Sequence, residues 1–145
     1  MDNKIRHEHI VIQNTAFHIA TSGPTVDHVT SSSRRKSVLC IHGFPEGWVG
    51  WRPLMRDMTD VTFIAPDLRG YPTTETPNNG YDVMTLTNDI DHLISALHLD
   101  KPILLSHDWG GALGWIYAHR FPERISQLVV INCPHPKTLV RAVLH

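Results

Sequence analysis

Four short apolar runs, each closed by turn formers or polar residues, set the rhythm of the chain. Val38-Leu39-Cys40-Ile41 ends in His42-Gly43, and Val61 to Ala65 ends in Pro66-Asp67. Ile103-Leu104-Leu105 ends in Ser106-His107-Asp108, and Leu128 to Ile131 ends in Asn132-Cys133-Pro134. Unbroken apolar runs of this length suit strands buried on both faces. Between the second and third runs, Val83, Leu86, Ile90, Leu93, Ile94 and Leu97 recur at steps of three and four, which predicts an amphipathic helix. Trp109 to His119 follows the third run without a proline and predicts a helix whose first turns are glycine-rich. Nearer the N-terminus, Ile10, Ile12, Phe17 and Ile19 alternate with polar residues, which predicts two strands joined near Asn14-Thr15. Strand, helix and strand in alternation imply right-handed crossovers, hence an α/β fold with a mostly parallel sheet and helices on both faces. In such sheets chemistry collects at the carboxyl ends of the strands.

Composition narrows the class. At 145 residues the chain has the size of one domain, and such a chain buries roughly 68–70% of its unfolded surface. Thirteen Lys plus Arg against fourteen Asp plus Glu give a net charge of −1. That balance offers no electrostatic reason to expect nucleic acid or an anionic membrane as partner. No apolar run approaches the ~20 residues that span a bilayer. Met1 to Asn14 lacks the apolar stretch of a secretory signal. A cytoplasmic location is the expectation. Residues 22 to 36 hold turn formers, three serines and three consecutive cations, and predict an exposed loop. Cys40 and Cys133 sit inside apolar runs and read as buried thiols rather than a disulfide framework. His7 and His9 share a strand face, but no carboxylate or cysteine spacing completes a metal site.

The candidate chemistry lies just after the strands. In Ser106-His107-Asp108-Trp109-Gly110-Gly111, small residues flank Asp108 at two positions to either side. A nucleophile on a strained strand-to-helix turn requires that, because neighbouring backbones must pass closely. A tightly packed junction, or one that holds phosphate at a helix N-terminus, would use the same glycines. His42-Gly43-Phe44-Pro45 follows the first buried run. Beside the elbow, the Phe44 and Trp109 backbone N–H groups can together form an oxyanion hole.

HGFPEGWVGWRPLM (42–55), PDLRGY (66–71), SHDWGGALGW (106–115) and INCPHP (131–136) resemble the α/β-hydrolase fold. Within it they are similar to the epoxide hydrolases and their haloalkane dehalogenase cousins. The resemblance runs from 38 to 136, and Ile10 to Ala20 resembles the opening strands. It implies Asp108 as nucleophile, Phe44 and Trp109 as oxyanion-hole donors, and His42, Pro45 and Trp109 as substrate-pocket residues. It implies a small hydrophobic epoxide or halide as substrate, water as second substrate and no cofactor or metal. It also implies structural roles for Asp67 and Arg69, and a cis Phe44–Pro45 bond. Phe44, Trp48, Trp51 and residues 132 to 136 favour epoxide hydrolases, since dehalogenases more often carry Asn at the position of Phe44. The nucleophile type agrees. A carboxylate with a reference pKa near 3.9 is anionic at pH 7 without a base and displaces at strained or halogen-bearing carbon.

The chain departs from the family pattern at residues 72 to 76, Pro-Thr-Thr-Glu-Thr, where relatives usually have a glycine and a serine. The family continues past Pro136 into a helical cap, further strands, a relay acid and a base histidine. The expectation is therefore an incomplete α/β-hydrolase core over residues 1–145, with a cap starting after 136 and the base and relay acid absent. His107 is expected to point into the sheet, His145 is terminal, and Tyr71, Tyr81 and Tyr117 do not match the cap donors. Turnover is then not expected, and the strand Leu128–Ile131 is expected to expose an edge prone to self-association. Two other readings share these residues: a haloalkane or haloacid dehalogenase, and a non-catalytic protein that binds a hydrophobic ligand or a partner.

Overall fold

The computed structural model describes residues 4–23 and 36–138. Most of the loop expected at 22–36, and residues 139–145 of the cap expected after 136, lie outside the described residues. Strands β1 (Arg6–Ile12) and β2 (Thr15–Ser22) form an antiparallel hairpin. Its turn is Gln13-Asn14, one residue earlier than predicted, with φ of 48° and 62°. Two left-handed residues give the turn whose twist matches a two-residue hairpin.

The rest alternates as the apolar runs require. Strand β3 (Ser37–Ile41) leads through a 3-10 turn, Trp48–Trp51, into helix α1 (Arg52–Asp57), and β4 (Thr62–Pro66) follows. Helix α2 (Val83–Ala96) precedes β5 (Ile103–His107), and α3 (Trp109–Arg120) precedes β6 (Gln127–Ile131). The strands run in the order β1-β2-β4-β3-β5-β6, with the β3–β4, β3–β5 and β5–β6 pairs parallel. The carboxyl ends of β3 and β5 are therefore neighbours at mid-sheet.

Side-chain alternation sends residues from one strand into two cores. Leu39, Ile41, Ile64 and Leu104 pack with Ile90 and Leu93 of α2 and Leu113 and Tyr117 of α3. Cys40, Phe63, Ala65 and Leu105 face the opposite side, under Trp51 and Met55. Burying a Leu or Ile fully contributes about 1.5–3 kcal/mol, so these two layers dominate the stability of the sheet. Asp82 caps α2, its side chain accepting the Thr85 N–H.

Two expectations change. β6 is not buried on both faces: its residues alternate between half-buried and exposed, because among the described residues it pairs with β5 alone. Cys40 is buried, but Cys133 is only half-buried, since it lies past the end of β6 rather than within it.

Candidate active site

β5 ends at His107 and α3 begins at Trp109, so Asp108 makes the whole turn between them, at φ 50° and ψ −119°. An L residue reaches that region only when its surroundings over-determine it. Three hydrogen bonds do so: the Asp108 N–H donates to the Ile131 carbonyl at 3.0 Å, and its carbonyl accepts from Gly111 and Ala112 at 2.9 and 3.2 Å. Close packing completes the restraint. A Cβ at Gly110 would lie 2.4 Å from the His42 carbonyl oxygen and 2.5 Å from that of Ile41, so only glycine lets α3 start against β3.

The loop after β3 supplies the partner. A Cβ at Gly43 would sit 2.6 Å from the Asp108 Cβ, so a side chain there would displace the carboxylate. The Phe44–Pro45 bond is cis, as the resemblance implied, and Glu46 N–H closes the turn onto the Gly43 carbonyl at 3.0 Å. Phe44 N–H then donates to Asp108 Oδ1 at 3.0 Å. Hydrogen bonds from the Phe44 N–H, first, and the Trp109 N–H hold the Asp108 carboxyl below its ordinary range, with the nearby His107 adding to the effect. The carboxylate is thus anionic at neutral pH and faces two preorganised donors.

A cavity of about 620 Å³ opens over it, walled by Phe44, Tyr71, Trp109, Asn132 and Cys133. Phe44 and Trp109 keep 73% and 41% of their surface exposed, giving the cavity an apolar mouth. Tyr71, Asn132 and Cys133 were not singled out as pocket residues in the sequence. The signal was positional: two of the three immediately follow β6 at the carboxyl edge of the sheet.

His42, expected in the pocket, does not line it. It is fully buried, its Nδ1 hydrogen-bonded to the Gly43 carbonyl at 2.9 Å and its Nε2 to the Leu68 N–H at 2.9 Å. Burial lowers its pKa, and a neutral ring serves as a brace under the loop, with Tyr71 packed edge-on at 4.3 Å. Pro45 is exposed and also lies outside the lining. His107 does not enter the sheet interior. It sits on the face opposite Ser106, beside Trp51, paired with Glu46 Oε2 at 3.1 Å.

Asp67 and Arg69 have structural partners. Buried Asp67 accepts the Trp48 N–H at 2.6 Å and His18 Nδ1–H at 2.8 Å, with Thr73 Oγ1 as a further donor. Arg69 makes a bidentate pair with Asp89 of α2, both bonds 2.8 Å. Tyr81 and Tyr117 are engaged away from the cavity, with the Pro77 carbonyl and Asp91. Among the described residues, no cluster of His, Cys, Asp or Glu is placed to hold a metal, and no helix is long and apolar enough to cross a membrane.

A carboxylate on a strained strand-to-helix turn, facing a backbone N–H from the loop after the adjacent parallel strand, defines the α/β-hydrolase class. The profile of the alpha/beta hydrolase fold family matches residues 36–143, and the chain belongs to that family. Human epoxide hydrolase 4 is 37% identical over 130 residues, covering 87% of this chain and 36% of that protein. The AB hydrolase superfamily protein YfhM of Bacillus subtilis is 38% identical over 127 residues, covering 83% of this chain and 44% of that protein. Among solved structures, an epoxide hydrolase from Bacillus megaterium in complex with a naphthyloxy-propanediol product superposes with a TM-score of 0.83 at 31% identity, over 94% of this chain and 46% of that one. An epoxide hydrolase from Vigna radiata gives 0.78 at 32% identity, over 96% and 46%. The chain thus spans less than half the length of these relatives.

Proposed function

We propose that Asp108 is the nucleophile of an epoxide hydrolase-type reaction. Oδ1 accepts the Phe44 N–H, leaving Oδ2 to attack a ring carbon of a small hydrophobic epoxide. The carbon–oxygen bond of the ring breaks, the freed oxygen takes a proton from solvent or substrate surroundings, and a hydroxyalkyl ester of Asp108 forms. Water adding to that ester carbonyl would place negative charge on its oxygen, where the Phe44 and Trp109 N–H groups act as the oxyanion hole. Collapse releases a diol and regenerates the carboxylate. No cofactor is required, and a cytoplasmic setting is compatible with the free thiols.

The observation that carries this reading is the carboxylate, rather than a hydroxyl, 3.0 Å from the Phe44 N–H at the elbow. The similarity to epoxide hydrolases, one of them bound to a diol, supports the choice of electrophile. Halide displacement would begin with the same attack, and Phe44, whose side chain has no donor to hold a leaving halide, argues against it. Among the described residues no histidine hydrogen-bonds Asp108, and His107 is engaged with Glu46. General bases contribute about 10²–10⁴-fold, so with the groups described around Asp108 ester hydrolysis is the slower step. Styrene oxide mixed with the chain is expected to be consumed to one equivalent and then stop. 1-Bromobutane should release no comparable burst of bromide. A halide burst without epoxide consumption would favour the dehalogenase, and no reaction with either would favour a ligand-binding protein.

A further inference from the structure

A second cleft, of about 690 Å³, lies at the other side of the sheet between the start of β1 and α1. Lys4 and Ile5, just before β1, and His7 on it line one wall, Trp48, Arg52 and Arg56 the opposite one, with Asp57 at the rim. Three formal cations against one carboxylate leave a local charge of +2 on a chain whose total is −1. Arg52 and Arg56 are four residues apart on α1, hence on one face. Among the described residues none of Lys4, Arg52 and Arg56 enters an ion pair.

Exposed cations are ordinarily just hydrated, but two features distinguish these. They converge on a concavity, and one wall of it is held rigid from beneath. The buried Asp67 carboxylate accepts His18 Nδ1–H at 2.8 Å, which leaves His18 Nε2 to pair with His7 Nδ1 at 3.0 Å. The same Asp67 accepts the Trp48 N–H at 2.6 Å, and the Trp48 and His7 rings meet edge to face at 4.7 Å. A polar cradle and a fixed aromatic wall share one buried anchor, so little ordering remains to be done on binding.

We propose that this cleft binds a small-molecule phosphate monoester, its phosphoryl oxygens on Lys4, Arg52 and Arg56 and its organic part against Trp48 and Ile5. A phosphate monoester carries about −1.5 to −2 at pH 7, which matches the local charge, whereas a carboxylate would leave a cation uncompensated. Guanidinium forks also fit phosphate oxygens in pairs.

Isothermal titration of the 145-residue chain with phenyl phosphate, inorganic phosphate and benzoate tests this. Saturable one-site binding is expected, tighter for phenyl phosphate than for inorganic phosphate, and at least about tenfold weaker for benzoate. The double variant Arg52→Ala/Arg56→Ala should weaken phenyl phosphate at least about tenfold, since each lost charge-assisted bond weakens binding substantially. Both arginines are exposed, and an unchanged far-UV spectrum and melting transition would show that the fold persists. Arg52→Lys/Arg56→Lys should recover part of the affinity. Absence of saturation, affinity unchanged in the alanine variant, or equal binding of benzoate would each overturn the assignment.

Discussion

Two glycines and one aspartate show how single residues set the site. Gly110 is boxed in by two backbone carbonyls of the β3 end, which cannot swing aside as a side chain can. Gly110→Ala is therefore expected to cost about 3 kcal/mol, the upper end of overpacking effects, as a fall in the urea midpoint. Gly50→Ala meets only the flexible Glu46 carboxylate at 3.3 Å and should stay within about 0.5 kcal/mol. At Asp108 the two N–H donors stabilise the charged form, so the folded pKa lies below the ordinary 3.8. The proposed nucleophile therefore stays ionised as pH falls through that value. The rate of alkylation should stay level there and drop only at lower pH. Stability linked to the same group is present above the unfolded pKa and lost as pH falls through the folded one. A pH–rate profile of adduct formation, read alongside circular dichroism, would check this; a midpoint at or above 3.8 in the folded chain contradicts it. These residue effects were only partly legible in the sequence. The small residues around Asp108 marked the tight strand-to-helix turn because close backbone passage excludes larger ones. Nothing in the spacing of His42 said that both its nitrogens would be consumed by Gly43 and Leu68.

At the scale of elements, the strands were easiest to read, because β3, β4 and β5 must be apolar throughout to lie between two layers. Helix α1 escaped notice for a physical reason: it has six residues, begins at Arg52-Pro53 and buries only Met55, too little to produce a periodicity. The α2 stripe was legible, but its tie to the β4 loop was not. Arg69 and Asp89 stand 20 residues apart in sequence, yet form a buried bidentate pair joining that loop to α2. Removing one member of such a pair leaves an uncompensated buried charge. Asp89→Ala should destabilise the chain by about 3 kcal/mol, measured by denaturant unfolding, with Asp91→Ala, at a more exposed pair, costing clearly less. Equal losses would mean that the loop is not held by Asp89.

The whole molecule is a mixed sheet whose candidate site lies where β3 and β5 end side by side, and whose β6 edge is unpaired among the described residues. Val129 and Ile131 on that strand are 36% and 43% exposed. An open, apolar strand invites edge-to-edge pairing. Concentration-dependent association is expected in sedimentation, and Val129→Lys/Ile131→Lys should reduce it; a monomer at all concentrations would refute the edge as a contact. The central claim concerns Asp108, and it is tested most directly by locating the bond that an epoxide makes. After incubation with styrene oxide, digestion and mass spectrometry should place one adduct on the peptide containing Asp108, and Asp108→Asn should abolish it while leaving the melting transition in place. An adduct on Cys133, which shares the cavity, or an adduct that survives Asp108→Asn, would contradict the account.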